Sequence, residues 1–304
     1  MPNENAVVLV TGASSGFGRL IAETLARKGY QVFATMRDSE GRNAATAREL
    51  RAWAERESLP LYVLELDVTS DSSVERAVAA AIGQASRIDV LINNAACGVL
   101  GLAESYTTEQ ARRIFDTNFL GVVRTNRAVL PHMRQRGSGL LLYVSSGAGR
   151  IVLPSLGLYT ASKFALEAFA ETYRYELAAQ GIDSVIVQPG AYPTGILSRL
   201  EAGADGSRMT TYGAANEIPQ RISTLVGASK ANPQEIADVI LQIIETPAGQ
   251  REFRYRIGTG AGGVQSINAN CEEIQQQVLK AFGFSEIAKF RTAGQGHGED
   301  RRLI

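Results

Sequence analysis

Sulfur and imidazole are scarce in this chain. Its 304 residues include two cysteines and two histidines. Cys97 and Cys271 form no C-x-x-C pair, so no disulfide framework is expected, and a reducing compartment fits. His132 sits in "LPHMRQRG" near a predicted helix end, where a capping or surface role is expected, and His297 lies in the tail. No carboxylate cluster stands beside either at ligand spacing, so no metal site is expected. An excess of one charge is equally lacking: 31 basic residues balance 31 acidic ones. Mixed signs exclude the basic face that a nucleic acid requires. No apolar run approaches the roughly 18 residues of a membrane span. The opening "MPNENAVVLVTG" has no basic segment and too short an apolar run for a secretory signal. The expectation is a soluble, cytoplasmic protein.

What is present is a rhythm. Short apolar runs at 6–10, 31–35, 61–66, 88–92, 139–145, 183–188 and 253–257 alternate with helix-period stretches. Those stretches fall at 17–28, 41–57, 71–85, 108–136, 155–180 and 233–245. Strands that are apolar on both faces belong to parallel sheets covered by helices on each side. This predicts a single α/β domain with a doubly wound, seven-stranded parallel sheet over residues 1–291. Two stretches break the rhythm. Residues 190–230 are rich in glycine and alanine, and a connection of that length is expected to be a lid. Residues 292–304 carry no periodic apolar face and read as a flexible tail.

The first strand runs directly into "TGASSGFG" and then a helix. Gly12 permits a tight turn, while Gly16 and Gly18 let backbone approach a pyrophosphate at the positive helix N-terminus. The spacing is G-x-x-x-G-x-G rather than the G-x-G-x-x-G of the dinucleotide fingerprint. At the tip of the second strand, Met36 is followed by Arg37 and Asp38. A carboxylate at that tip suits a ribose hydroxyl, whereas a guanidinium suits a 2′-phosphate. The expected cofactor is therefore NADP(H) in preference to NAD(H).

In "LYTASKFALEAF" a tyrosine and a lysine, Tyr159 and Lys163, stand four apart on a predicted helix and share one face. A lysine among so many apolar neighbours needs a partner. A phenol ordinarily titrates near pKa ~10, too high for proton transfer at neutral pH, and an adjacent ammonium lowers it. The pairing predicts a tuned acid. Upstream, Ser145 and Ser146 end a strand at the carboxyl edge of the sheet, where open α/β folds bind ligands. The Ser146 hydroxyl would hold a carbonyl oxygen while Tyr159 protonates it.

With these motifs in hand, the sequence resembles the short-chain dehydrogenase/reductase family over about residues 6–260. The resemblance rests on "TGASSGFG", "NNAA", Asn118 in "DTNFLG", Ser146, "YTASK" and "PGAYPT". It implies a Rossmann-type fold and a catalytic set of Ser146, Tyr159, Lys163 and Asn118, the last kinking its helix and holding a water that links Lys163 to solvent. It implies cofactor contacts from Gly12, Ser14, Ser15, Gly16, Phe17, Gly18, Arg37, Asp67, Val68, Asn94 and Ala95. Tyr159, Lys163, Pro189, Gly190 and Thr194 complete that set. It also implies transfer of the 4-pro-S hydride, and a homodimer or homotetramer built through 108–136 and 155–180. Two departures stand out: Ala96 replaces a usual glycine, and Ser15 occupies a place where NADP-dependent members often carry a basic residue, leaving Arg37 to read the phosphate.

"VFATMRD" and the stretch from Ser145 to Phe169 resemble the steroid and retinol dehydrogenase branch, implying an apolar ketone or secondary alcohol as substrate. Leu153, Tyr192, Ile196, Leu197 and the segment 195–230 are the expected pocket wall. Cys97 is expected as a small buried filler, Arg150 as a structural contact, and "RQRG" and "EDRR" as solvated patches. Two alternatives stay open. One is a 3-oxoacyl-thioester reductase, which would need a basic rim for an acidic carrier. The other is a catalytically silent NADP sensor, which would have no use for serine, tyrosine and lysine together.

Overall fold

All seven apolar runs form strands. In the computed structural model, which describes residues 6–194, 199–258, 261–287 and 289–290, they are β1 (Val7–Val10), β2 (Gln31–Met36), β3 (Leu61–Glu65), β4 (Val90–Asn93), β5 (Gly139–Val144), β6 (Ile182–Pro189) and β7 (Arg254–Ile257). Every pairing is parallel, and the order is β3-β2-β1-β4-β5-β6-β7. The chain leaves β1 in one direction and resumes at β4 in the other. The crevice of a doubly wound sheet opens at that reversal, beyond the carboxyl ends of the strands.

Helices cover both faces. On one, α1 (Gly16–Arg27), α2 (Ala44–Arg56) and α8 (Gln234–Glu245) bury Ile21, Leu25, Leu50, Trp53 and Ile240 against Val8, Val10 and Val32. On the other, α3 (Asp71–Ala85), α5 (Gly121–Arg136) and α6 (Gly157–Ala178) bury Val78, Met133 and Leu166 against Leu9, Phe33 and Leu141. Burial on both sides is what makes β1, β2, β4, β5 and β6 nearly continuous in apolar residues, whereas the edge strands β3 and β7 are less buried.

The predicted helix 108–136 is in fact three pieces. Helix α4 (Thr108–Phe115) begins with a capping box between Thr107 and Gln110. A π-turn over Asp116–Leu120 follows, and α5 continues from it. The wider turn brings Asn118 inside, almost completely buried, as such bulges do at functional sites. Predicted helix starts shift too: the stretch 41–57 begins at Ala44, because Asp38, at φ 51°, accepts from the Arg42 N–H and forms a turn first.

Two helices were not expected from the sequence. Helix α7 (Ile218–Gly227) lies within the predicted lid, and α9 (Ala261–Ala281) follows β7. Ile196 and Leu197 of the expected pocket wall, and the expected tail at 292–304, fall outside the described residues. Among the described residues no helix is long and apolar enough to cross a membrane.

Candidate active site

Backbone sterics build the floor of the crevice. Gly12 has φ +70°, and a Cβ there would lie 2.8 Å from Ala95 Cα, so only glycine fits. Gly16 has φ +57°, and an added Cβ would meet nothing within 4 Å, so it faces open space. Asn94 holds the turn from beneath, its Nδ2 donating to the carbonyls of Thr11 (2.9 Å) and Gly12 (3.1 Å). Gly18 departs from expectation. It does not line the crevice; a Cβ there would lie 2.3 Å from Gly12 O and 2.4 Å from Asn94 Nδ2. Its smallness serves close packing of helix on turn, not approach of a ligand.

A cavity of about 910 Å³ runs along the carboxyl ends of the strands. Gly12, Ser14, Ser15, Gly16 and Phe17 line it from β1–α1, and Arg37, Asp67 and Val68 from the β2 and β3 ends. Asn94 and Ala95 follow from β4, Ser146, Tyr159 and Lys163 from β5–α6, and Pro189, Gly190 and Thr194 from beyond β6. Sixteen of the eighteen expected site residues thus share one continuous wall, while Gly18 and Asn118 stand behind it. Ser15 caps α1 without a side-chain hydrogen bond, which leaves the first-turn amides to a ligand. Arg42, five residues past Arg37, also lines this end; the sequence reading missed it because it stands at the foot of a predicted helix.

At the other end, Ser146 caps a 3₁₀ turn (Gly147–Gly149), its Oγ accepting from Ala148 N at 3.1 Å. Lys163 is buried and its Nζ lies 5.8 Å from the centre of the Tyr159 ring. The ammonium donates to Val144 O at 2.8 Å, which ties α6 to the end of β5. Burial pushes Lys163 down to about 8. The expectation for Tyr159 is corrected. Burial pushes its phenol above the ordinary value, and the downward pull comes from the Ser146 hydroxyl. Desolvation of the phenolate outweighs what the partners return.

Asn118, on the π-turn, is held by three protein groups. Its Oδ1 accepts from Cys97 N at 2.8 Å, and its Nδ2 donates to Cys97 O (2.9 Å) and Ser162 Oγ (3.0 Å). It therefore fastens the loop after β4 to α6 beside Tyr159 and Lys163. Burial pushes the Cys97 thiol up, so it stays protonated. Arg150 is a structural contact, as expected, donating to Asn268 Oδ1 at 2.9 Å. Among the described residues, no three His, Cys, Asp or Glu side chains are placed to hold a metal ion.

Apolar side chains close the cavity beyond Tyr159. Leu153 and Tyr192 line it as expected, joined by Val99, Leu156, Ile222 and Val264. Tyr192 packs edge-on against Phe17 at 5.5 Å and donates to Glu235 Oε2 at 3.0 Å. The segment after residue 198 is stitched down: Gln110 Nε2 donates to Glu201 Oε1 (2.7 Å) and Ala202 O (2.9 Å), and Arg113 pairs with Glu201 at 2.5 Å. None of these contacts was foreseen, since they join residues about ninety positions apart.

A parallel α/β domain with a glycine turn opening its first helix, and a serine, tyrosine and lysine across the same crevice, defines a dinucleotide-dependent oxidoreductase type. Residues 6–205 match the family model described as short chain dehydrogenase. The chain belongs to the short-chain dehydrogenase family of oxidoreductases. It is 39% identical to 3-ketodihydrosphingosine reductase of Bacteroides thetaiotaomicron, over 83% of this chain and 87% of that one. It is 35% identical to human retinol dehydrogenase 8, over 82% of this chain and 81% of that one. Among solved structures, a variant of actinorhodin polyketide ketoreductase with NADPH matches at TM-score 0.70 and 27% identity, covering 86% of this chain and 98% of that chain.

Proposed function

We propose that the protein is an NADP(H)-dependent oxidoreductase that interconverts an apolar ketone and its secondary alcohol. The observation that carries this reading is the shared wall: Ser146, Tyr159 and Lys163 stand on one cavity with the glycine turn, Arg37 and Arg42. The residues fit the cofactor. The open space over Gly16 and the uncapped start of α1 suit a pyrophosphate, and two guanidiniums beyond β2 suit a 2′-phosphate. When bound, NADP(H) supplies or accepts the hydride.

The side chains do the rest. Ser146 holds the substrate oxygen, and in reduction Tyr159 gives its proton to that oxygen. Lys163, fixed on Val144 O, supplies positive charge that stabilises the phenolate left behind. Asn118 keeps the Cys97 loop seated so that the nicotinamide end stays open. The apolar wall from Val99, Leu153, Leu156, Ile222 and Val264 favours a bulky hydrocarbon substrate by burial. The names of the retinol and ketosphingoid relatives support the same class. A homodimer or homotetramer through α4–α5 and α6 is part of the proposal, since Leu120, on the turn between α4 and α5, and Phe164, on α6, are exposed.

Loss of NADPH absorbance against a panel of ketones, aldehydes and thioesters tests the activity. Tyr159→Phe is expected to lower turnover by roughly a hundredfold or more while NADPH still binds. Retained turnover overturns the assignment of the acid.

A further inference from the structure

The most deeply buried carboxylate of the site takes no part in the mechanism above. Glu167 lies one helical turn past Lys163 on α6 and is 1% exposed. Ser145 Oγ donates to its Oε1 at 2.8 Å, and Gln188 Nε2 donates to both oxygens at 2.9 Å. Arg254 Nε donates to Oε2 at 3.2 Å, and Arg150 Nε stands 4.0 Å away. Asn268 Nδ2 donates to Gln188 Oε1 at 2.7 Å, which fixes the Gln188 amide with its NH₂ toward the carboxylate. Every contact is thus a donor aimed at the carboxylate oxygens; burial pushes this carboxyl above its ordinary value, and the donors from Gln188, Arg254 and Ser145 pull it back.

Two of the partners adjoin residues of the cavity wall. Ser145 precedes Ser146, and Gln188 precedes Pro189 and Gly190. The loop after Ser146 is pressed onto the same centre, because a Cβ on Gly149 would lie 2.4 Å from Glu167 Oε1 and 2.8 Å from Ser145 Oγ. Buried ion pairs seldom add net stability over apolar packing of the same volume. A four-sided charged centre at this place therefore serves geometry. We propose that Glu167 is a positioning residue: its carboxylate, clamped by Ser145, Gln188 and Arg254, fixes the strand ends carrying Ser146 and Pro189 against the helix carrying Tyr159 and Lys163.

The proposal rests on the reading of Ser146, Tyr159 and Lys163 given above. It adds a consequence for Lys163, whose charged and titratable neighbours are Tyr159, Cys97 and Glu167. The negative charge of Glu167 favours the ammonium, so its removal moves Lys163 further down.

The test compares Glu167→Gln with the unaltered chain. Glu167→Gln is expected to keep NADPH affinity within about threefold and lower kcat roughly tenfold or more with little change in ketone KM. The alkaline limb of its kcat–pH profile is expected to move down by about half a pH unit, a shift that loosened packing alone does not produce. Ser145→Ala, a smaller change, keeps the test open if the glutamine variant fails to fold, and is expected to lower kcat while ketone KM and NADPH affinity hold. Unaltered kcat and an unmoved limb in Glu167→Gln, or unaltered kcat in Ser145→Ala, overturn the proposal. Tyr159→Phe in the same assay separates the two ideas: if it is inactive, such a result removes only the role of Glu167.

Discussion

At the residue scale, placement of charge decides what the site holds. Arg37 and Arg42 are both exposed and both line the same end of the cavity, where each charge-assisted hydrogen bond to a phosphate contributes about 1.5–3 kcal/mol. The double change Arg37→Ala with Arg42→Ala is therefore expected to weaken NADPH binding at least about tenfold and leave NADH binding nearly unchanged, as titration calorimetry would show. If NADPH affinity holds, the reading of the 2′-phosphate site is wrong. Lys163 makes the second prediction. Its burial pushes it down to about 8, so the ammonium that is proposed to steady the phenolate is lost as pH rises through that value. Reductive kcat is expected to be flat below pH 8 and to fall above it; a profile level to pH 10 removes Lys163 from the role.

Among the elements, α4 ties residues 201–204 to the body. Gln110 completes the capping box with Thr107 and also receives Ala204 N on Oε1 at 3.0 Å, while its Nε2 holds Glu201 and Ala202. One side chain thus starts a helix and anchors the segment that follows residue 198. Gln110→Ala is expected to cost about 1 kcal/mol through the lost cap, to speed cleavage near Ala202 in limited proteolysis, and to raise ketone KM with NADPH affinity unchanged. Equal cleavage rates in the two proteins reject the anchor. The same segment shows what the sequence hides. The glycine turn and the Tyr159–Lys163 pair are local patterns, readable because cause and effect lie within a few residues. Gln110 with Glu201, or Glu167 with Arg254, are agreements between distant stretches, and no local pattern marks them. Helix α9 escaped notice for another reason: Gly262, Gly263, Asn268 and Asn270 lower its helix propensity, and its contacts with the body run through Val264, Asn268 and Glu272.

Across the whole molecule, the strand rhythm made the seven-stranded parallel sheet and its helix layers legible in advance, whereas Gly18 and the phenol of Tyr159 needed three dimensions. The sheet's lower edge carries its own charged pin. Asp89 accepts from Val7 N at 2.8 Å, from Arg87 at 2.5 Å and from Arg136 at 2.5 Å, joining β1, the loop before β4 and the end of α5. Burial raises its carboxyl, but the hydrogen bonds from Arg87, Val7 and Arg136 outweigh it and hold Asp89 below the ordinary aspartate range. A depressed native value gives stability that is complete above about pH 4 and drains away as pH falls through it. The Tm is expected to drop as pH falls below about 4, and less steeply in Asp89→Asn, which starts from a lower Tm at neutral pH. Parallel curves for the two proteins would assign the acid loss elsewhere.

The family model spans residues 6–205, yet Val264, on the helix that follows β7, is buried at the cavity wall. Part of the apolar wall, Ile222 and Val264, is thus supplied from outside the stretch that the family model covers. On the proposed function, exchanging the portion beyond the last strand for that of a relative is expected to change which substrate fits while leaving Ser146, Tyr159, Lys163 and the glycine turn as they are.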